Sequence, residues 1–365
     1  MGLGFLDHMR VAPDHRIAGM VSYPLDEILL ATLVGVVCGE DDWEGVEEIA
    51  EGGLDWRRGF LPFTNGIATA QTFRKVFRLI DAPALAKGFA AWAASARGVA
   101  RQVVAVDGKT LRGSKTDGTG ALRLVSAYAT EAGLALAQRA VAGKCNEITA
   151  IPEPLDMLNL KGAIVSIDAM GTQKEIAARI VDKGADYGLA LKGNQTSLHE
   201  DAALVFADPA LSAHCRRAAQ TDAGHGRIEE RACRAVEASW LAERHSGWKG
   251  LRSLAAVTAR RIDKKNGAES VETRFYITSL APDPKGVLAA VRAHWSIENN
   301  LHWTMEVTFD EDRCRTRKDD SPLNFAVIRH AGFNILKADN SRGSLRRKRL
   351  RACVDPAFPT RLFDA

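Results

Sequence analysis

Two aspartates in this chain close apolar runs. Val103-Val104-Ala105-Val106 leads into Asp107-Gly108-Lys109, and Ile164-Val165-Ser166-Ile167 leads into Asp168-Ala169-Met170. Short β-branched runs followed by small residues read as buried strands. A carboxylate that follows such a run stands at the C-terminal tip of a strand, where α/β sheets place their ligands. A third acid, Glu298, belongs to the series Leu288, Val291, Trp295, Glu298, His302, with spacings of 3, 4, 3 and 4. Those spacings make one helical stripe, expected to face the sheet. A carboxylate on a buried stripe is costly unless it is paired or metal-bound.

Three carboxylates meeting at one point repel, and one of them would tend to stay protonated. A divalent cation removes that conflict. Mg²⁺ is hard, prefers oxygen, and takes one or two carboxylates together with water and substrate phosphates. Two such ions roughly 3.5–4 Å apart can activate a nucleophile and stabilise the leaving oxygen of a phosphodiester. Two strand-tip aspartates and a helical glutamate therefore suit metal-dependent phosphoryl transfer on nucleic acid. Cations stand close by: Lys109, Arg112 and Lys115 follow Asp107, and Lys192 ends a later strand. Each reads as a phosphate contact or as an ordinary solvated cation. Among Glu306, Asp310, Glu311 and Asp312, Asp310 is the competing third ligand. His294 and His302, on either side of Glu298, are expected to pack or hydrogen-bond rather than bind metal. Trp295 and Trp303 are expected in the core.

These groups need a sheet and a helix to hold them. Residues 1–98 read as a helical domain, with apolar spacing at Leu25, Ile28, Leu29, Leu33 and Val36, a second helix from Asp42 to Ile49, a turn at Asn65-Gly66, a cap at Thr69 or Thr72, and a fourth helix from Pro83 to Arg97. The domain suits packing or oligomerisation, or a DNA-reading helix-turn-helix. Residues 99–195 read β-β-β-α-β-α-β, with Glu131-Ala132-Gly133 as a turn, Thr172 as a helix cap and Lys192-Gly193-Asn194-Gln195 at the end of the last strand. Residues 196–285 read as a β-rich insertion with a hairpin tip at Lys264-Lys265-Asn266-Gly267. Residues 286–340 return to helix, with Ser321-Pro322 as an N-cap and first-turn proline, and 341–365 form a basic tail. The fold class is α/β, a mixed sheet flanked by helices.

Composition sets the remaining bounds. The 365 residues carry a net charge of +4 and a hydrophobic fraction of 46%, values typical of a globular protein. No apolar run approaches the ~20 residues of a membrane span. The N-terminus has no signal-peptide pattern, and a cytoplasmic location is expected. Six cysteines are scattered without a C-x-x-C pair, which argues against a zinc site or a disulfide framework. Arg342, Arg346, Arg347, Lys348, Arg349 and Arg351 cluster near the C-terminus, either as a polyanion contact or as a solvated helix face.

Four segments carry a family resemblance: Val104 to Ser114 (VAVDGKTLRGS), Ile167 to Gln173 (IDAMGTQ), Leu191 to Gln195 (LKGNQ) and His294 to Trp303 (HWSIENNLHW). In that order they resemble the H-repeat-associated, ISAs-type insertion-sequence transposases, and the likeness extends to Tyr23-Pro24-Leu25 and Asn65-Gly66-Ile67. The resemblance implies a ribonuclease-H-like core and a DDE transposase, with Asp107, Asp168 and Glu298 catalytic and binding Mg²⁺ or Mn²⁺. It implies double-stranded DNA as partner, both the terminal inverted repeats and the target, with a homo-oligomer joining two ends in a bacterial cytoplasm or on its nucleoid. Lys109, Arg112, Lys192, Asn194, His294, Arg346 and Arg347 are the expected DNA contacts. The alternatives are a nuclease of the same core that only hydrolyses, and a DNA-binding remnant without activity. Two departures stand out. Related transposases carry Tyr, Arg and Lys around the last Glu, where this chain has Val291, His294 and Met305. Where the family usually has Pro-Ser-His-Asp, this chain has Ala68-Thr69-Ala70-Gln71.

Overall fold

The computed structural model describes residues 2–96, 102–116, 120–141, 147–224 and 226–364. Arg97, the expected end of the fourth helix, and Cys145, one of the six cysteines, lie outside those residues.

Among the described residues nine strands form one sheet: β1 (Val103–Leu111), β2 (Leu122–Ala129), β3 (Leu134–Ala140), β4 (Ile164–Ile167), β5 (Asp186–Leu191), β6 (Arg216–Gly224), β7 (Arg227–Glu237), β8 (Ser253–Asp263) and β9 (Glu269–Thr278). Their order is β3-β2-β1-β4-β5-β9-β8-β7-β6. The centre, β1-β4-β5, is parallel, and β2 and β3 run antiparallel on its β1 side. This 3-2-1-4-5 half is the ribonuclease-H-like core. Parallel neighbours need a crossover, and between β4 and β5 it is the Lys174–Asp182 helix, which buries Ile176, Ala177 and Ile180. β4, covered on both faces, is an apolar run for that reason.

The strands of the 196–285 segment do not stand apart. β9 pairs antiparallel with β5, and β8, β7 and β6 follow in turn, so the segment extends the core sheet. The segment also opens with two helices, Thr196–Ala207 and Pro209–Ala213, which its β-rich reading did not include. Lys264–Gly267 does form the β8–β9 tip, with Gly267 at φ +69°.

One face of the sheet packs Val104, Val106, Val165 and Ile167 against the crossover helix. Against the other lies a core shared by both ends of the chain, in which Phe5, Leu29 and Phe73 meet Ile297, Leu301, Met305 and Phe325. The N-terminal helices are thereby welded to the C-terminal ones. At the edge strand β3, Asn334 donates to Ala135 O at 2.8 Å and accepts from Ala135 N at 2.9 Å. That amide pair covers part of an edge which would otherwise be open.

Three local expectations change. Thr172 does not cap the Lys174–Asp182 helix; its N-cap is Gln173, without a side-chain bond. Ser321 is the first helical residue after Asp320 rather than the N-cap, with Pro322 in the first turn as expected. β1 does not stop at Asp107, because β2 pairs with it as far as Leu111.

Candidate metal centre and its surroundings

The parallel ladder of β1 and β4 runs from Val103 with Ile164 to Val106 with Ile167. Asp107 and Asp168 are the next residue on each strand, and partners in a parallel ladder project to one face. Ala105 and Ser166, two residues back, share that face, and Ser166 Oγ lies 3.1 Å from His294 Nδ1. The Pro284–His294 helix therefore covers the face on which both aspartates stand.

After His294 the helix loosens into a π-helical turn, Ile297–His302, and resumes as Trp303–Val307. π turns recur at functional sites, where one extra residue redirects side chains. Glu298 sits in this turn. Glu298 is exposed rather than on a buried stripe, and its side chain opens into a cavity of about 240 Å³ lined by Asp107, Asp168, His294, Lys192 and Trp295. One carboxylate oxygen each from Asp107 and Glu298 and one ring nitrogen of His302 lie within 4.8 Å of one another. His302 Nδ1 is 3.5 Å from Glu298 Oε2 and 3.8 Å from Asp107 Oδ2. His302 is buried, and its Nε2 has no hydrogen-bond partner. Sequence reading had this histidine packing or hydrogen-bonding rather than binding metal; its spacing of four from Glu298 is what brings the two side chains together.

The electrostatics agree with a site built for positive charge. Burial, and then the neighbouring Glu298 carboxylate, push the Asp107 carboxyl well above the usual range. His302 beside it, outweighing partial burial, holds Glu298 well below that range. Two acids so close share a proton until a cation replaces it. The donor set within that distance, two carboxylates and an imidazole, fits a divalent ion such as Mg²⁺ or Mn²⁺; Asp168 lines the same cavity from the neighbouring strand but lies outside that set. Asp310 is not part of this set: it stands at φ +49° and faces Arg313 at 3.5 Å.

Asp168 is held by its own loop. Its Oδ1 accepts from Gly171 N at 3.0 Å. Thr172 donates its hydroxyl to Ala190 O at 2.7 Å, Asn194 Nδ2 donates to Ala169 O at 2.7 Å, and Gln195 Nε2 donates to Thr172 O at 2.9 Å. The motif after β5 thus braces the motif after β4. Asn194, expected at DNA, spends its amide on that brace.

The expected phosphate contacts divide in the same way. Arg112 and Lys192 are exposed, Lys192 at the cavity. Lys109 is only 8% exposed and reaches Glu311 Oε2 at 3.0 Å and His302 O at 3.1 Å, turned inward rather than toward a ligand. His294 is half-buried against Ser166 at the cavity wall, and desolvation lowers its pKa. In the Leu345–Val354 helix Arg346 and Arg347 are exposed, but Lys348 and Arg349 are buried. Arg349 Nε donates to Val36 O at 3.1 Å, and its other nitrogens reach Thr308 O and Asp41. The basic cluster is thus half structural.

Trp295 and Trp303, expected in the core, are 44% and 56% exposed. Trp295 lies under the Arg274 guanidinium, 5.4 Å from its ring centre. Trp295 and Arg274 line the acidic cavity and also a larger groove of about 860 Å³ on the β6–β9 extension. That groove holds Arg227, Arg231, Arg261, Arg274 and Arg292 against Asp222, Glu229 and Glu272. Glu229 is buried among its arginines, whereas the Arg274–Glu272 and Arg292–Asp222 pairs are largely open to solvent and can exchange a carboxylate for a phosphate. Met305, which stands where related enzymes have Lys, is fully buried.

Comparison with known proteins places these features. Residues 99–334 match the family model described as a transposase DDE domain, and residues 6–93 match the model for its associated N-terminal region. The chain is 36% identical over 360 residues to "Putative transposase YncI" of Escherichia coli O157:H7, covering 97% of this chain and 92% of that one. It is 36% identical over 360 residues to "H repeat-associated putative transposase YhhI" of Escherichia coli K12, covering 96% of this chain and 95% of that one. A protein from the dhlA 3′ region of Xanthobacter autotrophicus is 43% identical over 266 residues, covering 72% of this chain and 89% of that one.

Proposed function

This chain belongs to the DDE transposase family of insertion sequences, and from that premise we propose that it cuts DNA at the ends of its element and joins them to target DNA in a metal-dependent reaction. The observation that carries the reading is the register of Asp107 and Asp168 on β1 and β4, with Glu298 opposite them across one cavity. A divalent cation there would supply Lewis-acid polarisation of the scissile phosphate and a lowered pKa for the attacking hydroxyl.

The protein's own groups do the rest. Asp107, Asp168 and Glu298 are the ligands, and His302 borders the Asp107–Glu298 pair and fixes its spacing. Lys192 at the cavity and Arg112 outside it offer phosphate contacts, in keeping with the exposure of both. The groove on β6–β9 leads the duplex away from the acids. Arg346 and Arg347 add outlying contacts. Two element ends must meet before joining, so the active form is an oligomer on DNA. Among the described residues no helix is long and apolar enough to cross a membrane.

The test is a joining assay. End-labelled duplex carrying the element's terminal repeat, incubated with Mg²⁺ or Mn²⁺ and a target plasmid, should give labelled plasmid. Cleavage without joined product would make the protein a nuclease of the same core. Binding without cleavage would make it a DNA-binding remnant.

A further inference from the structure

Lys109 sits two residues beyond Asp107 on β1, so both side chains leave the same face of the sheet. Its ammonium is enclosed. It contacts Glu311 Oε2 at 3.0 Å, Glu306 Oε1 at 3.8 Å and the carbonyl oxygen of His302 at 3.1 Å. His302 closes the π turn that carries Glu298. Glu311 is 3% exposed and lies in the short turn Glu311–Arg313, which packs on the turn after β1. There, Gly113 lies so close to the backbone oxygens of Cys314 and Asp312 that a Cβ would come within 2.3 and 2.8 Å of them.

We propose that Lys109 is a positioning residue, a clamp that fixes the Glu298 turn to β1 and so sets the distance between the Asp107 and Glu298 carboxylates. The inference rests on the metal-site reading given above. A π turn is an uncommon, poorly bonded stretch of helix, and its position must be held from outside. Lys109 does so with a charge-assisted bond to the carbonyl of His302. Glu311 compensates the buried charge and ties the clamp to the chain beyond the helix. Removing the ammonium leaves Glu311 as a buried carboxylate without its cation and leaves the carbonyl without its donor. The spacing of the ligand pair then relaxes. A lysine in a D-G-K sequence beside a phosphate-cutting site invites assignment to DNA; its enclosure assigns it to the protein.

The experiment uses the full chain without DNA and measures Mn²⁺ affinity by electron paramagnetic resonance. Wild type and Asp107→Asn are compared first, to show that the titrated ion sits at Asp107. Lys109→Met and Glu311→Gln should then each weaken Mn²⁺ binding by about tenfold or more, the size of effect seen when groups supporting metal ligands are removed. Lys109→Arg should recover part of the loss. Duplex DNA affinity and its salt dependence should stay at wild-type values. The second variant, made away from β1, keeps the test decisive if Lys109→Met does not fold. Mn²⁺ binding by wild type that both variants retain in full overturns the clamp alone. A fall in the salt slope of about one for Lys109→Met, with Mn²⁺ affinity intact, returns Lys109 to the DNA. No Mn²⁺ bound by wild type at Asp107 overturns the clamp and the metal-site reading together.

Discussion

Asp107 and Asp168 stand side by side, each the first residue beyond the last parallel pair of its strand, Val106 with Ile167. That relationship fixes the floor of the site. Everything else, from the π turn to the braced loop after β4, sets what faces the floor.

Gly113 admits no side chain, since a Cβ there would lie 2.3 Å from the backbone oxygen of Cys314. Gly113→Ala should destabilise the fold by about 1–3 kcal/mol, the range for overpacked sites. A urea midpoint that falls with an unchanged slope would register this. A midpoint equal to wild type would mean that the two turns do not pack so closely.

Arg349 and Arg346 are neighbours on one helix with opposite duties. Arg349 is buried on Val36 O, Thr308 O and Asp41. Arg349→Met should cost about 3–5 kcal/mol, because it leaves two carbonyls without their donor and leaves Asp41 only Arg329, 3.8 Å away. Arg346→Ala should leave stability unchanged and lower the salt dependence of DNA binding by about one unit of slope. Thermal denaturation and filter binding on both variants would check the contrast, and equal effects on stability would contradict it.

His330 is buried, its Nδ1 has no hydrogen-bond partner, and burial holds its pKa down to about 4, against an ordinary 6.5. Between those values the unfolded chain binds the proton and the folded chain does not. The histidine's contribution is therefore intact above pH 6.5 and is lost as the pH falls toward 4, by at most about 3 kcal/mol. Asp41, raised by burial to about 6 from 3.8, works in the opposite direction in an overlapping window. The readout is accordingly the difference between wild type and His330→Asn, which should shrink as the pH drops. A difference independent of pH would place the histidine's charge elsewhere.

The central strands were legible because burial on both faces forces continuous apolar runs, and β4 was read at its full length, Ile164–Ile167. β6 was not, since Arg216 to Gly224 is an edge strand with most of its side chains exposed and no apolar alternation. The two aspartates were visible as acids that close apolar runs, although β1 continues past Asp107 to Leu111. Their supports were not: Lys109 meets Glu311 from far along the chain, and no local pattern announces such a pair. Trp295 and Glu298 have core spacing, yet the face they share lines a cleft. Periodicity reports that a helix has a distinct face and leaves open whether a protein core or a ligand covers it.

The most direct measurement is nicking of a duplex carrying the terminal repeat, with Mg²⁺ or Mn²⁺, by wild type, Asp168→Asn and Glu298→Gln at equal DNA occupancy. Wild type should cut, and each variant should lose at least about a hundredfold in rate while binding the DNA as before. Cutting by Glu298→Gln at the wild-type rate would contradict the account, because the third acid of the site would then lie elsewhere.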